Sequence, residues 1–146
     1  MMPRNVLSLL LIFLLFSSFS FPVNQTLKVN ITRLRNDKGI VLVSLFKGGK
    51  GYPDDAEYAI RKEKTGITGK TAVVYFVDLP AGSYAAAILH DENSNQKMDK
   101  SFLGLPKEGY GFSNNVSGAF GPPSYNRAVF SHSATELTRI EIRARY

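Results

Sequence analysis

In the segment Arg139–Tyr146, RIEIRARY, apolar and charged residues alternate without a break. Ile140, Ile142, Ala144 and Tyr146 face one way while Arg139, Glu141, Arg143 and Arg145 face the other. A period of two is the mark of a strand with one buried and one wet face. The pattern recurs upstream, where Leu27, Val29 and Ile31 alternate with Lys28, Asn30 and Thr32. The turn residues NDKG then precede a second apolar run, IVLVSLF, and the two runs read as a hairpin. KTAVVYFVDLP, GSYAAAILH and RAVFSHS supply further strands. Between them GGKGYPDDAEYAIRKEKTGITG, rich in glycine and charge, reads as a long surface crossover, with Asp54 and Glu57 spaced as a capping box for two helical turns. The expected fold is all-β: a single antiparallel β-sandwich, Ig-like or transthyretin-like, with about seven strands. It spans residues 24–146.

The first twenty residues are of a different kind. Arg4 precedes an apolar run from Val6 to Phe16, and Ser18 and Ser20 flank Phe19. The run is shorter than the roughly 20 residues a membrane span requires, so residues 1–20 read as a signal peptide with the mature start near Phe21. The expected location is therefore exported, periplasmic or secreted, with no transmembrane span after cleavage. The chain has no cysteine, which excludes a lipid-anchored cysteine and any disulfide framework. Its formal charge is +6, and loss of Arg4 leaves +5. The basic residues, among them Lys28, Arg33, Arg35, Lys47, Lys50, Arg139, Arg143 and Arg145, are scattered rather than gathered with aromatic platforms, which argues against a nucleic-acid partner. A solvated face attracted to anionic envelope components accounts for them.

The stretch from Ile88 to Gly104, ILHDENSNQKMDKSFLG, carries the one candidate site. Asp91, Asn93, Asn95 and Asp99 occupy positions 1, 3, 5 and 9 of an EF-hand-type loop, with the Lys97 carbonyl at position 7. Alternating oxygen-bearing side chains suit calcium, which takes six to eight oxygen ligands. Position 6, where a glycine makes the sharp turn, is Gln96, and position 12, where a bidentate glutamate closes the shell, is Phe102. Glu108 or Glu92 would have to supply the missing carboxylate, and Lys97 and Lys100 offset charge, so the expected affinity is modest. The alternative is a loop built from Asx turns with no ion.

His90 beside Asp91, with Glu108 within reach, makes an acid/base pair conceivable, so a metal-assisted or His/Glu-based hydrolase stands as the alternative to a non-catalytic binding or structural module. Nucleophile elbow, HExxH, phosphate loop and cysteine nucleophile are all absent from the sequence. After the acidic stretch, FLGLPKEGYGFSNNVSGAFGPPSYNRAVF sets glycines and prolines among Leu105, Tyr110, Phe112, Phe120 and Tyr125. Two readings follow: the aromatics fold back to plug the open end of the sandwich, or Tyr110, Phe112 and Tyr125 bind a glycan or protein ligand of the envelope or the extracellular space.

FVDLPAGSYAAAIL, a strand, a Leu-Pro-Ala-Gly turn, a tyrosine and a strand, resembles the corner of transthyretin-like and collagen-adhesin B-type sandwiches. HDENSNQKMDKSFLGLPKEGYGFSNN followed by FGPPSYNRAVF resembles the signature of an exported bacterial family, domain of unknown function 2141, whose pattern is H-D-x-N-x-N-G-x-x-D, G-x-P-x-E-G-Y-G-F-S-N-N and F-G-P-P. His90, Asp91, Asn93, Asn95, Asp99, Pro106, Glu108 and the run Gly109 to Asn115 match, and Gln96 departs where the pattern has glycine. The resemblance implies an exported β-sandwich in which the acidic and aromatic loops form one site; it carries no established activity.

Overall fold

A computed structural model describes residues 25–146. The expected signal peptide, residues 1–20, lies outside them. Two sheets pack face to face. In chain order the strands are β1 (Leu27–Thr32), β2 (Ile40–Phe46), β3 (Arg61–Thr65), β4 (Ala72–Phe76), β5 (Gly82–Asp91), β6 (Gly109–Phe112), β7 (Phe130–His132) and β8 (Thr138–Arg143). One sheet has the order β4-β1-β8 and the other β3-β2-β5-β6, with β7 paired to the first residues of β5. All pairings between these strands are antiparallel except β1 with β8, which run parallel. The fold is an all-β sandwich.

The alternating segments build the core as the pattern dictates. Leu27, Val29 and Ile31 of β1, Val74 and Phe76 of β4 and Ile142 of β8 face Val41, Val43 and Leu45 of β2 and Tyr84, Ala86 and Ile88 of β5 across the interior. Each large aliphatic or aromatic side chain so buried contributes about 1.5–3 kcal/mol before the cost of ordering the chain. Tyr84 forms the corner its neighbours suggest: it is buried, and its hydroxyl donates to the Pro80 carbonyl at 2.7 Å. His132 is buried beside it, with Nε2 on the Leu79 carbonyl at 2.9 Å and Nδ1 against the Thr138 hydroxyl at 2.8 Å.

Three local expectations are corrected. β1 and β2 are not a hairpin, because the turn between them carries the chain across the core from one sheet to the other. The crossover holds an edge strand, β3, whose charged residues suit a sheet edge exposed to water. Its helical part is a single 3-10 turn, Ala56–Tyr58, capped by Asp55, whose carboxylate accepts the Glu57 N–H at 3.1 Å, rather than two turns capped by Asp54. The aromatic stretch also contributes a strand, β6, and its two glycines have a steric cause. A Cβ at Gly111 would lie 2.8 Å from Ile142 Cγ2, and one at Gly109 would lie 2.6 Å from the Tyr146 ring. The glycines make room for the facing sheet.

Candidate functional site

β5 delivers the site. Tyr84, Ala86, Ile88 and His90 occupy alternate positions on its inward face, so His90 ends a row of core residues, fully buried. On the opposite sheet the inward row Ile140, Ile142, Ala144 leads past the end of β8 to Tyr146, which is 45% exposed and follows the bridge of Arg145 to Tyr110 of β6. The two row ends meet, with His90 Nδ1 and the Tyr146 hydroxyl 2.6 Å apart. Nε2 lies 2.9 Å from the Lys38 carbonyl, which only accepts, so Nε2 carries the proton and Nδ1 accepts from tyrosine. The Tyr146 hydroxyl in turn accepts the Arg35 N–H at 2.9 Å, and the Arg35 guanidinium lies over its ring, 4.6 Å from the centroid. Burial raises the Tyr146 pKa, keeping the hydroxyl a donor.

Arg35 also grips Glu92 with two hydrogen bonds, at 2.5 and 2.8 Å, and donates to the Lys107 carbonyl at 3.0 Å. Asn36 adds a third donor to Glu92 at 3.1 Å. The hydrogen bond from Arg35 is the main reason that the Glu92 carboxyl sits below the usual carboxylate range. Gly39 lets the β1–β2 turn press on this end: its φ is +70°, and a Cβ there would overlap the Asp91 carbonyl oxygen.

The acidic loop is closed by its own side chains. Asp91, fully buried, accepts the N–H of Asn95 at 3.1 Å and of Gln96 at 2.7 Å. Glu108, also buried, accepts the N–H of Glu92 at 2.9 Å with one oxygen and of Asp99 at 3.0 Å with the other. It brackets both ends of the loop. Gln96 takes the left-handed backbone, φ +61°, that a glycine would adopt there without strain. Above this frame, Asn93 Nδ2 and Asn95 Nδ2 donate to the two oxygens of Asp99, at 2.6 and 3.0 Å. Asn93 and Asn95 are exposed and Asp99 is half-buried. Among the described residues, no group of three or more His, Asp or Glu side chains is disposed to hold a metal.

The structure brings His90, Asp91, Asn93, Asn95, Lys97, Asp99 and Glu108 onto one end of β5 and the loop that leaves it. It places the aromatic residues elsewhere. Phe112 and Tyr125 pack edge-on against Tyr52, with centroids at 6.2 and 5.7 Å, and Tyr110 lies 5.9 Å from Phe112. The Tyr125 hydroxyl accepts the Gly48 N–H at 2.8 Å. This is the plug.

The residues that follow β6 tie elements together. The Ser113 hydroxyl donates to the Ala128 carbonyl at 2.6 Å and accepts the Ala86 N–H at 2.9 Å. Asn114 donates to the carbonyls of Arg127 and Val129, and Asn115 pairs with β8 through the Glu141 carbonyl and the Arg143 N–H. Sequence reasoning did not assign Arg35, Lys38 or Tyr146 to the site. Tyr146 carried a signal only as the last member of an alternating row.

A model of the family described as "Uncharacterized protein conserved in bacteria (DUF2141)" matches residues 29–140. No curated protein and no solved structure matches the chain.

Proposed function

The chain belongs to that bacterial family of uncharacterized proteins, and we propose that this member is an exported, non-catalytic binding module of the cell envelope whose loop Asp91–Asp99 takes a calcium ion with low affinity. The observation that carries the calcium reading is the convergence of two amide NH2 groups, from Asn93 and Asn95, on the two oxygens of Asp99. The amide oxygens of Asn93 and Asn95 accept the N–H of Asn95 and of Lys97, at 3.1 and 2.9 Å, and each keeps a second lone pair. A cation beside Asp99 would take the place of both NH2 donors and draw on those lone pairs. Asp99, Asn93, Asn95 and the Lys97 carbonyl would hold it, while Asp91 and Glu108 keep their carboxylates on backbone N–H groups and frame the loop. These are the hard oxygen donors calcium selects, and two of them are neutral amides, which fits low affinity.

The non-catalytic part of the reading rests on His90. A general base needs a free nitrogen within reach of a substrate, and both ring nitrogens of His90, itself fully buried, are occupied. The packing of Tyr52, Phe112 and Tyr125 against one another supports a structural role for the aromatic stretch over sugar stacking.

A melting curve with and without calcium tests the proposal. A ligand that binds only the folded state stabilises it by RT ln(1 + [L]/Kd), about 2.7 kcal/mol at a hundred times Kd. The expected result is a rise in melting temperature at millimolar calcium that magnesium does not reproduce. An unchanged curve, with no heat on titration, returns the loop to Asx turns alone.

A further inference from the structure

The chain between Asp99 and Glu108 forms a short hairpin finger. The Lys107 N–H bonds to the Asp99 carbonyl at 2.8 Å, Lys100 bridges Pro106, and the Ser101 N–H bonds to the Leu105 carbonyl at 2.8 Å. Gly104, at φ +79°, closes the turn with its N–H on the Ser101 carbonyl at 2.9 Å. A three-residue loop ending in a left-handed glycine is a favoured hairpin turn. Its tip is apolar. Phe102 is 96% exposed, Leu103 69% and Leu105 61%. Single exposed apolar residues need no explanation, but three within four positions at a turn, where polar residues are the rule, do.

Their surroundings select a partner. Lys97, Lys100 and Lys107 flank the tip, all exposed and none in a salt bridge among the described residues. From Lys97 to Lys107 the only acid is Asp99, already bonded to two amides. An apolar tip inside a collar of unpaired ammonium groups is complementary to a surface that is anionic outside and hydrocarbon beneath. The internal hydrogen bonds matter too, since backbone groups that enter the interface must be satisfied before they leave water.

We propose that the finger Lys100–Lys107 docks the protein on an anionic lipid bilayer, with Phe102, Leu103 and Leu105 entering the headgroup–acyl boundary and Lys97, Lys100 and Lys107 on the lipid phosphates. This goes beyond the calcium reading and does not require it, so the experiment runs in chelator.

The test uses the chain without residues 1–20, whose apolar run would itself partition into lipid; among the described residues the core runs from Leu27 to Ala144. The protein should sediment with vesicles of equal parts phosphatidylcholine and phosphatidylglycerol and stay in solution with phosphatidylcholine alone. Phe102→Ser combined with Leu103→Ser should weaken partition at least about tenfold, and Lys100→Ala about fivefold, with melting temperature unchanged. The protein has no tryptophan, so Leu103→Trp reports insertion directly: its emission should shift to the blue on anionic vesicles and be quenched by lipids brominated on the acyl chains. Phe120→Ser is the control, because Phe120 is fully exposed in a stretch, 116–124, without Lys or Arg; it should leave partition unchanged. Four results would overturn the proposal: no binding to anionic vesicles, binding indifferent to the tip substitutions, an equal loss with Phe120→Ser, or tip substitutions that instead abolish self-association, which would make a second copy the occupant.

Discussion

The hydroxyl of Tyr146 sits 2.6 Å from His90 Nδ1 and accepts the Arg35 N–H, so one oxygen joins the ends of two facing sheets and the turn beneath them. Phenylalanine at 146 keeps the ring and its contact with Arg35 but leaves the His90 nitrogen buried without a donor. Such a loss costs about 1–3 kcal/mol. Urea unfolding of Tyr146→Phe should show that drop at constant m-value; an unchanged midpoint would mean that water satisfies His90.

Gly109 and Tyr146 set a second test of the same corner. A Cβ at residue 109 would lie 2.6 Å from the tyrosine ring, and the ring has backbone beneath it and Arg35 above. Gly109→Ala should destabilise the domain by about 1–3 kcal/mol through overpacking. In the Tyr146→Ala background the clash has no partner, so the cost of Gly109→Ala should shrink sharply, a coupling that a double-mutant cycle reads directly.

Acid tests the Arg35–Glu92 pair. The folded-state pKa of Glu92 is depressed, chiefly by the Arg35 hydrogen bond. Its contribution to stability is therefore complete above the unfolded value of about 4.3 and is lost as pH falls through the lower folded value. Both side chains are partly exposed, so the contribution is at most about 1 kcal/mol. The gap in urea stability between wild type and Glu92→Gln should be open near about pH 7 and closed near about pH 3. A gap that persists in acid would assign the effect to shape rather than charge.

β1 and β8 are legible because one wet face forces a period of two, and β2, β4 and β5 because they are apolar runs set between turns. β3 and β6 are not, for opposite reasons. β3 is an edge whose composition, RKEKT, answers to solvent rather than to the core. β6 carries glycines where side chains would normally advertise a strand, because Ile142 and Tyr146 need the space. In the site, the Asx spacing of residues 91–99 exposes the loop, since each of those side chains acts on backbone or neighbours within a few positions. The Tyr146–Arg35 contact spans 111 residues and leaves no local trace. The distinction between Glu108 as a bracket and as a ligand is equally hidden, because both need only a carboxylate nearby.

The structure separates two aspartates that play equal parts in the sequence. Asp91 is buried and holds two backbone N–H groups of its own loop, whereas Asp99 is half-buried and meets only side-chain amides. Asp91→Asn replaces one acceptor oxygen by an NH2 facing an N–H, so it should lower stability by about 1–3 kcal/mol even in chelator. Asp99→Asn removes no backbone partner and should cost under about 1 kcal/mol in chelator. In calcium the order reverses in kind: Asp99→Asn should lose the calcium-dependent rise in melting temperature while the fold persists. Limited proteolysis adds the third member. Glu108→Gln keeps one acceptor of two, so cleavage between Phe102 and Lys107 should accelerate in chelator, and calcium should slow it only if the ion bridges what Glu108 no longer brackets. Equal losses from Asp91→Asn and Asp99→Asn, with and without calcium, would make both aspartates parts of one turn and remove the ion from the account.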